Sequence, residues 1–457
     1  MNTFYDIHMH AFNLNHPNLS EFLVREDLID SLIDQEFDFG LRVQLFAASF
    51  CFKSFIKKKI NEKLNSGNPS LKDKFGNTLS FFEVPLEYQF LILDYFIKTG
   101  SPAIYNPNKQ IVIGEKAYDK MVLCPLVMDF GFKNIPKKEK NGVLYNLTPK
   151  RPIVNQIGDL LYAIRTYFRF ELEVDAKNKK MDLSSEIPDS QKKKNEKLFE
   201  IYPFMGLDTR NYTLDKLEKM LEMYFKNFTK DESGETRRNR LFAKMGKLDS
   251  NMYDTTPDYY TDIFAGIKLY PQMGFDPYPS DPEELEKVQY LYKFCIDKRI
   301  PITTHCSDGG YKTGKDNDKL TSPLGQWKNV FEAKDKNSEH LFSGLTLNFA
   351  HFGSQKKNNR QWRNEIIELT KKHPNVYADI SCNDMTPGYY NELGKLFNDK
   401  NPQLHEKVLY GSDFSINMLA SNVESYNQYL EAFVKSNLTY KTNLCEFNPK
   451  KFLFGKD

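Results

Sequence analysis

FAGIKLY, residues Phe264 to Tyr270, is an apolar run of strand length that opens a regular alternation along the chain. The helical pattern EELEKVQYLYKFCIDK comes next, and then a second short run, ITTH (Ile302 to His305). The alternation continues through LTLNFAH (Leu345 to His351), VYADI (Val376 to Ile380) and VLYGSD (Val408 to Asp413). RQWRNEIIELTKKH is one of the intervening helices, and a last helix is expected over Val423 to Lys435. Strands that are apolar throughout are buried on both faces. With amphipathic helices between them they predict a parallel sheet covered on both sides.

Toward the N-terminus three further runs fit the same pattern: TFYDIHMHAF (Thr3 to Phe12), MVLCPLVMDF (Met121 to Phe130) and FEIYPFMG (Phe199 to Gly206), the last succeeded by a helix over Leu214 to Phe228. Eight such units predict an α/β fold of the (β/α)₈ TIM-barrel type rather than an open sheet. No GxGxxG fingerprint opens the first unit, which argues further against a dinucleotide fold. A minimal barrel takes roughly 250 residues, so this chain carries about 200 more. They fall in two places, both within a single domain spanning 1–457. Residues 13–117 read as a large, mostly helical insertion or cap after the first strand, and 131–198 as a loop-plus-helix excursion between the second and third strands. In the excursion the helical run is IGDLLYAIRTYFRFELE, succeeded by a polar stretch from Asp175 to Asn195.

Composition excludes several classes. Lysine and arginine number 63 against 61 acidic residues, a net charge of +2, which gives no reason to expect nucleic acid or an anionic membrane as a partner. The six cysteines form no CxxC pair, so neither a disulfide framework nor a cysteine-rich zinc site is indicated. No apolar stretch reaches membrane-spanning length, and a cleaved leader would remove His8 and His10. The expectation is a cytoplasmic protein with a small-molecule substrate, its homo-oligomeric state left open.

In a barrel of this kind the active site forms at the C-terminal ends of the strands. The polar residues expected there are His8 and His10 on the first strand, Lys268 on the fourth, His305 on the fifth, His351 on the sixth and Asp413 on the eighth. His8 and His10 are two apart, so on a strand they share a face. Only eight histidines occur in the chain, and four of them fall on these strands. Imidazoles with a carboxylate suit zinc or another divalent ion, which lowers the pKa of a water; Asp413 is the carboxylate placed to move the proton. Taken alone, His8 and His10 fit equally a buried pair bonded to backbone carbonyls.

DIHMH, GIKLYP, the strand ending TTH, the strand ending AH before FG, YGSDFS and the closing NPKKFLFG together resemble the amidohydrolase superfamily, in particular its amidohydrolase-related (amidohydrolase 2) branch of metal-dependent hydrolases. The resemblance implies that His8, His10 and His305 bind the metal, and that Asp413 binds it or its water and acts as base. It implies that His351 is either a second-metal ligand or a donor to the reacting group. Lys268 matches a lysine that some members carboxylate to bridge two ions, so one ion or two stays open. Arg210 and Tyr270 are candidates for substrate binding, and Arg165, Arg360 and Arg363 are further cations to weigh. The leading expectation is hydrolysis of an amide, ester or lactone. The alternatives are non-oxidative decarboxylation of an unsaturated or aromatic acid, which a converging arginine pair would favour, and a barrel serving only as a scaffold.

Overall fold

The structure is a computed structural model that describes residues 1–13, 84–129, 153–175, 180–187, 197–248, 259–310, 317–355, 360–383, 386–417 and 425–455. Residues 14–83, most of the expected insertion, lie outside the described residues, as do 131–152.

Strand β1 (Thr3–Met9) is buried along its whole length, as expected of a strand covered on both faces. It pairs in parallel with β2 (Lys120–Pro125), with Phe4 opposite Met121, and β2 pairs with β3 (Phe199–Ile201). A second parallel sheet runs in sequence order through β4 (Phe204–Gly206), β5 (Gly266–Leu269), β6 (Ile302–Thr304), β7 (Leu347–Phe349), β8 (Val376–Asp379) and β9 (Val408–Leu409).

Backbone hydrogen bonds join the two sheets at both edges. At one, Val127 N–H donates to Phe204 O at 3.1 Å, and Leu126 bridges Phe204. Gly206 is required there, because a Cβ would meet the Val127 carbonyl oxygen at 2.4 Å and Asp129 N at 2.7 Å. At the other, Ile7 N–H donates to Tyr410 O at 3.2 Å, Ser412 N–H to His8 O at 3.1 Å, and Met9 bridges Phe414.

The expected strand Phe199 to Gly206 is two strands. Pro203 sits at the break, where it offers no N–H to a ladder.

The helices form where caps and apolar spacing agree. Helices α1 (Leu86–Thr99), α2 (Ile153–Arg169), α3 (Leu214–Phe225) and α4 (Gly234–Met245) precede β5 in the chain. Helix α5 (Pro282–Asp297) begins with Asp281 accepting from Glu284 N at 2.9 Å and Pro282 in the first turn; Val288, Leu291, Tyr292 and Cys295 make its buried stripe. Helices α6 (Gln361–Lys372) and α7 (Tyr426–Lys435) come after β7 and β9.

Two β-hairpins interrupt the regions that read as helix or loop. Ile111–Ile113 pairs with Lys116–Tyr118 inside the stretch expected to be mostly helical. Leu172–Asp175 pairs with Lys180–Leu183 where the helical pattern extends to Glu173. The alternation of Leu172 and Val174 with Glu173 and Asp175 is a period of two, which the longer helical pattern before it conceals. The described end of the expected insertion packs beside the excursion, with the Tyr167 hydroxyl of α2 donating to Asp94 of α1 at 2.7 Å.

Candidate metal centre

Residues paired across β5, β6 and β7 fall in one row, Lys268 opposite Thr303 and Thr303 opposite Asn348. A few residues beyond the strand ends the chain turns sharply. His351 and Phe352 after β7, Cys382 after β8 and Asp413 after β9 all adopt left-handed backbone angles, φ of 61°, 49°, 51° and 58°. For residues with a Cβ this conformation is uncommon and costs of order 1 kcal/mol or more, and such strain concentrates at functional sites. Here it turns a histidine and an aspartate inward.

Asp413 Oδ1 lies 3.1 Å from His10 Nε2 and 3.3 Å from His8 Nε2, and all three side chains are buried. His8 Nε2 and Asp413 Oδ1 are nevertheless without an aligned hydrogen bond, so the atoms are close without satisfying one another. His8, His10 and Asp413 have the donor set and spacing of a metal site. The opposite ring nitrogens are held in place. His10 Nδ1 faces the Leu126 carbonyl oxygen at 3.0 Å, and His8 Nδ1 faces Asp379 Oδ2 at 3.0 Å. With the proton on Nδ1 in each ring, both Nε2 lone pairs point toward Asp413.

Asp379, at the end of β8, is not among the expected site residues. Besides His8 it accepts from Asn348 Nδ2 at 2.7 Å, from the backbone N–H of His351 at 3.0 Å and from the Ser381 hydroxyl. Ser381 Oγ also lies 3.0 Å from both His8 Nδ1 and His351 Nδ1. His8, His351 and Asp379 therefore form a second close group that shares His8 with the first. The sequence carries a signal for Asp379, since it is the polar residue near the end of VYADI, just as Asp413 ends VLYGSD.

Electrostatics follow from burial and these contacts. Burial pulls the His351 pKa down to about 4 and that of His305 well below its usual value, the latter helped by His351 and Lys268. His10 is also lowered by burial, against the pull of Asp413. Burial works against the charged form of His8 too, but the Asp379 carboxylate outweighs it and the net shift is upward. Burial opposes ionisation of Asp413, yet the close approach of the His10 and His8 rings holds it well below the usual carboxylate range.

His305 stands beside this group rather than in it. Its Nδ1 is 3.1 Å from His351 Nε2, its Nε2 is 3.2 Å from the Gly309 carbonyl oxygen, and its ring stacks on Tyr270 at 4.4 Å. Lys268 is buried, and its Nζ has no hydrogen-bond partner among the described residues. Burial lowers its pKa to about 8, with the charges of Asp379 and Asp413 opposing. Arg210 is held by Asp208, Nη2 to Oδ2 at 2.6 Å, and by the Met273 carbonyl oxygen at 2.7 Å. Arg165 is paired with Glu186 at 2.9 Å. Cys306 is buried with its thiol pKa pushed far up, which removes it as a nucleophile.

Residues 261–453 match the family model described as "Amidohydrolase", and the match supports membership of the amidohydrolase superfamily. No curated protein matches the sequence. Among solved structures, an amidohydrolase 2 from Bifidobacterium longum subsp. infantis is similar at 16% identity and TM-score 0.30, over 43% of this chain and 63% of that one. The chain thus spans less than two thirds of that neighbour. A uronate isomerase from Bacillus halodurans C-125 is similar at 11% identity and TM-score 0.37, over 99% of this chain and 85% of that one. An amidohydrolase from Mycobacterium avium subsp. paratuberculosis K-10 is similar at 9% identity and TM-score 0.31, over 74% of this chain and 70% of that one. Among the described residues no helix is long and apolar enough to cross a membrane.

Proposed function

We propose that this chain is a metal-dependent hydrolase of a small-molecule amide, ester or lactone, built on a closed (β/α)₈ barrel. The backbone bonds at both sheet edges support closure, with β3 and β4 together acting as one barrel strand. One observation carries the chemistry: three buried donors, His8 Nε2, His10 Nε2 and Asp413 Oδ1, face one another, and two of them lack a hydrogen-bond partner. Leaving a buried polar atom unsatisfied costs about 1–3 kcal/mol, and a divalent ion of the zinc type shared by the three removes that cost.

His8, His10 and Asp413 would hold the ion. Bound there, it supplies Lewis acidity toward a carbonyl and lowers the pKa of a neighbouring water. Asp413, ionised because its carboxyl is held far below neutrality, takes the water's proton and returns it to the leaving group. His351, neutral at pH 7, serves as a hydrogen-bonding rather than a charged group, with His305 packed against it to fix its ring. Lys268, whose amine burial drives toward the neutral form, decides between one ion and two, since carboxylation needs the neutral amine. Among the described residues Arg165 and Arg210, two of the candidate carboxylate-binding cations, are held by Glu186 and Asp208, which supports hydrolysis over decarboxylation.

The test is metal content followed by substitution. Purified chain is expected to hold one or two equivalents of zinc, manganese or iron, and full activity in metal-free protein would sink the reading. Asp413→Asn is expected to abolish turnover of a broad ester and lactone panel while most of the metal stays bound. Unchanged kcat would remove Asp413 as the base.

A further inference from the structure

A cavity of about 330 Å³ opens beside the strand ends of β7 and β8, and its lining includes Phe352, Gly353, Asn383, Tyr389, Arg360 and Arg363. None of His8, His10, His305 or Asp413 lines it. It is a separate site from the candidate metal centre, although its floor is tied to that centre. Asn383 Nδ2 donates to the carbonyl oxygens of His351 at 3.2 Å and Ser381 at 3.0 Å.

The two arginines differ in how their charge is met. Arg360, just before α6, pairs with Glu392 at 2.9 Å, and Glu392 also takes Lys395 at 2.9 Å. Arg363, in the first turn of α6, makes no direct ion pair among the described residues, although the Glu392 carboxylate acts on it at longer range. Its Nε is buried without a hydrogen bond, although the side chain as a whole is only half-buried. A guanidinium is charged at any accessible pH, so it meets the cavity as a cation without a direct ion pair and with a planar fork of donors. Gly353 brings the chain against the start of α6, where an added Cβ would lie 2.8 Å from Arg363 N; the cavity wall and the helix terminus are therefore one packed unit. That terminus adds the positive end of the helix dipole to the same side of the cavity.

We propose that this cavity binds a small organic monocarboxylate, with Arg363 as its anchor. The lining holds two guanidinium groups and one carboxylate, so a planar, singly charged carboxylate matches the fork geometry and balances its net single positive charge. A phosphate dianion would exceed that charge and would meet the Glu392 carboxylate in the same lining. Arg360, already paired with Glu392, contributes a second, weaker donor.

The test uses the full chain stripped of metal with a chelator, so that binding at the His8 group is removed as a source of signal. Benzoate and inorganic phosphate are titrated calorimetrically as probes. Benzoate is expected to bind, and Arg363→Gln to weaken it at least about tenfold, the loss expected for a charged hydrogen-bonded anchor. Arg360→Gln is expected to weaken it less, and Arg363→Lys to recover part of the loss while keeping the charge. Asp413→Asn is expected to leave benzoate binding as in the parent. Equal benzoate affinity in the parent and Arg363→Gln, each folded by circular dichroism, would overturn the proposal. Tighter binding of phosphate than of benzoate, or loss of benzoate binding in Asp413→Asn, would overturn it as well.

Discussion

Asp379 reaches the candidate metal centre only through His8. Its carboxylate fixes the His8 tautomer, and the Asn348, Ser381 and His351 donors in turn fix the carboxylate. Removing such a support behind a ligand typically costs 10–100-fold in metal affinity. Asp379→Asn is therefore expected to weaken zinc binding by about that factor, and also to lower the thermal midpoint of the metal-free chain because the new amide NH2 faces buried donors. Zinc affinity equal to the parent would show that His8 is oriented without it. Gly411 makes a steric version of the same test. A Cβ at Gly411 would sit 2.7 Å from His8 Cβ, so Gly411→Ala must displace the histidine and is expected to lower zinc affinity.

At the level of single residues the sequence is informative where chemistry is rare. Histidine is scarce in this chain, and a histidine ending an apolar strand stands out, so His8, His10 and His351 are legible and do come together. Aspartate is common, and Asp379 does not stand out although it obeys the same positional rule. What spacing cannot convey is lateral reach. His305 ends its strand as expected, but its ring is drawn to His351, Tyr270 and Gly309 instead of to the three donors.

Between elements, α4 is bound to its surroundings by a cluster of guanidinium groups. Arg237 is fully buried; its Nε donates to Glu232 at 2.7 Å and its Nη2 to the carbonyl oxygens of Thr229 and Lys298, while its cation lies over the Phe228 ring at 4.6 Å. Arg240 reaches the same carboxylate at 2.8 Å, and Arg299 joins the Glu232 carbonyl oxygen to that of Phe454. Truncating one member of such a buried set leaves the others unpaired, so Arg237→Ala is expected to destabilise by about 3–5 kcal/mol in chemical denaturation.

The carboxylate gives this cluster a pH dependence. Burial would raise the Glu232 pKa, but hydrogen bonds from Arg240 and the charge of Arg237 outweigh it and hold it below the usual value. A carboxylate lowered on folding stabilises fully above its unfolded pKa, about 4.3, and loses that contribution as pH falls through the lower folded value. The parent's thermal midpoint is expected to drop below about pH 4.5 more steeply than that of Glu232→Gln. Parallel curves would assign the acid sensitivity elsewhere. Helix α4 is also an element the sequence conceals, because its buried face is only Gly234, Arg237, Leu241 and Met245, a stripe interrupted by a cation. The two hairpins are hidden for a related reason, each being too short to set up a period against the helical pattern beside it.

Over the whole molecule, the alternation of strand and helix from Phe264 onward is fully legible, and every strand expected there is present within a few residues. Short apolar runs leave little choice of partner once helices separate them. The first half is harder to read because its extra segments obscure the repeat, and the expected cap falls mostly on 14–83, outside the described residues. The seam between β1 and the stretch after β9 relies on Asp6, a fully buried carboxylate. It accepts from Ser412 N at 2.9 Å, a contact spanning 406 positions, and from the Tyr426 hydroxyl of α7 at 3.0 Å. Asp6→Ala strands those donors and is expected to cost about 2–4 kcal/mol, read by urea denaturation, whereas Asp6→Asn retains an acceptor and is expected to cost less.

That seam also sets an order of events during synthesis. β1 leaves the ribosome well before the second sheet, carrying two of the three proposed metal ligands, but its partner at the seam and the third ligand emerge about 400 residues later. Throughout that interval one long edge of a wholly buried strand stays unpaired, a condition that favours wrong pairing and aggregation. Slow growth of a nascent chain is thus a hazard for this topology, and the three proposed metal donors come together only at the end of translation.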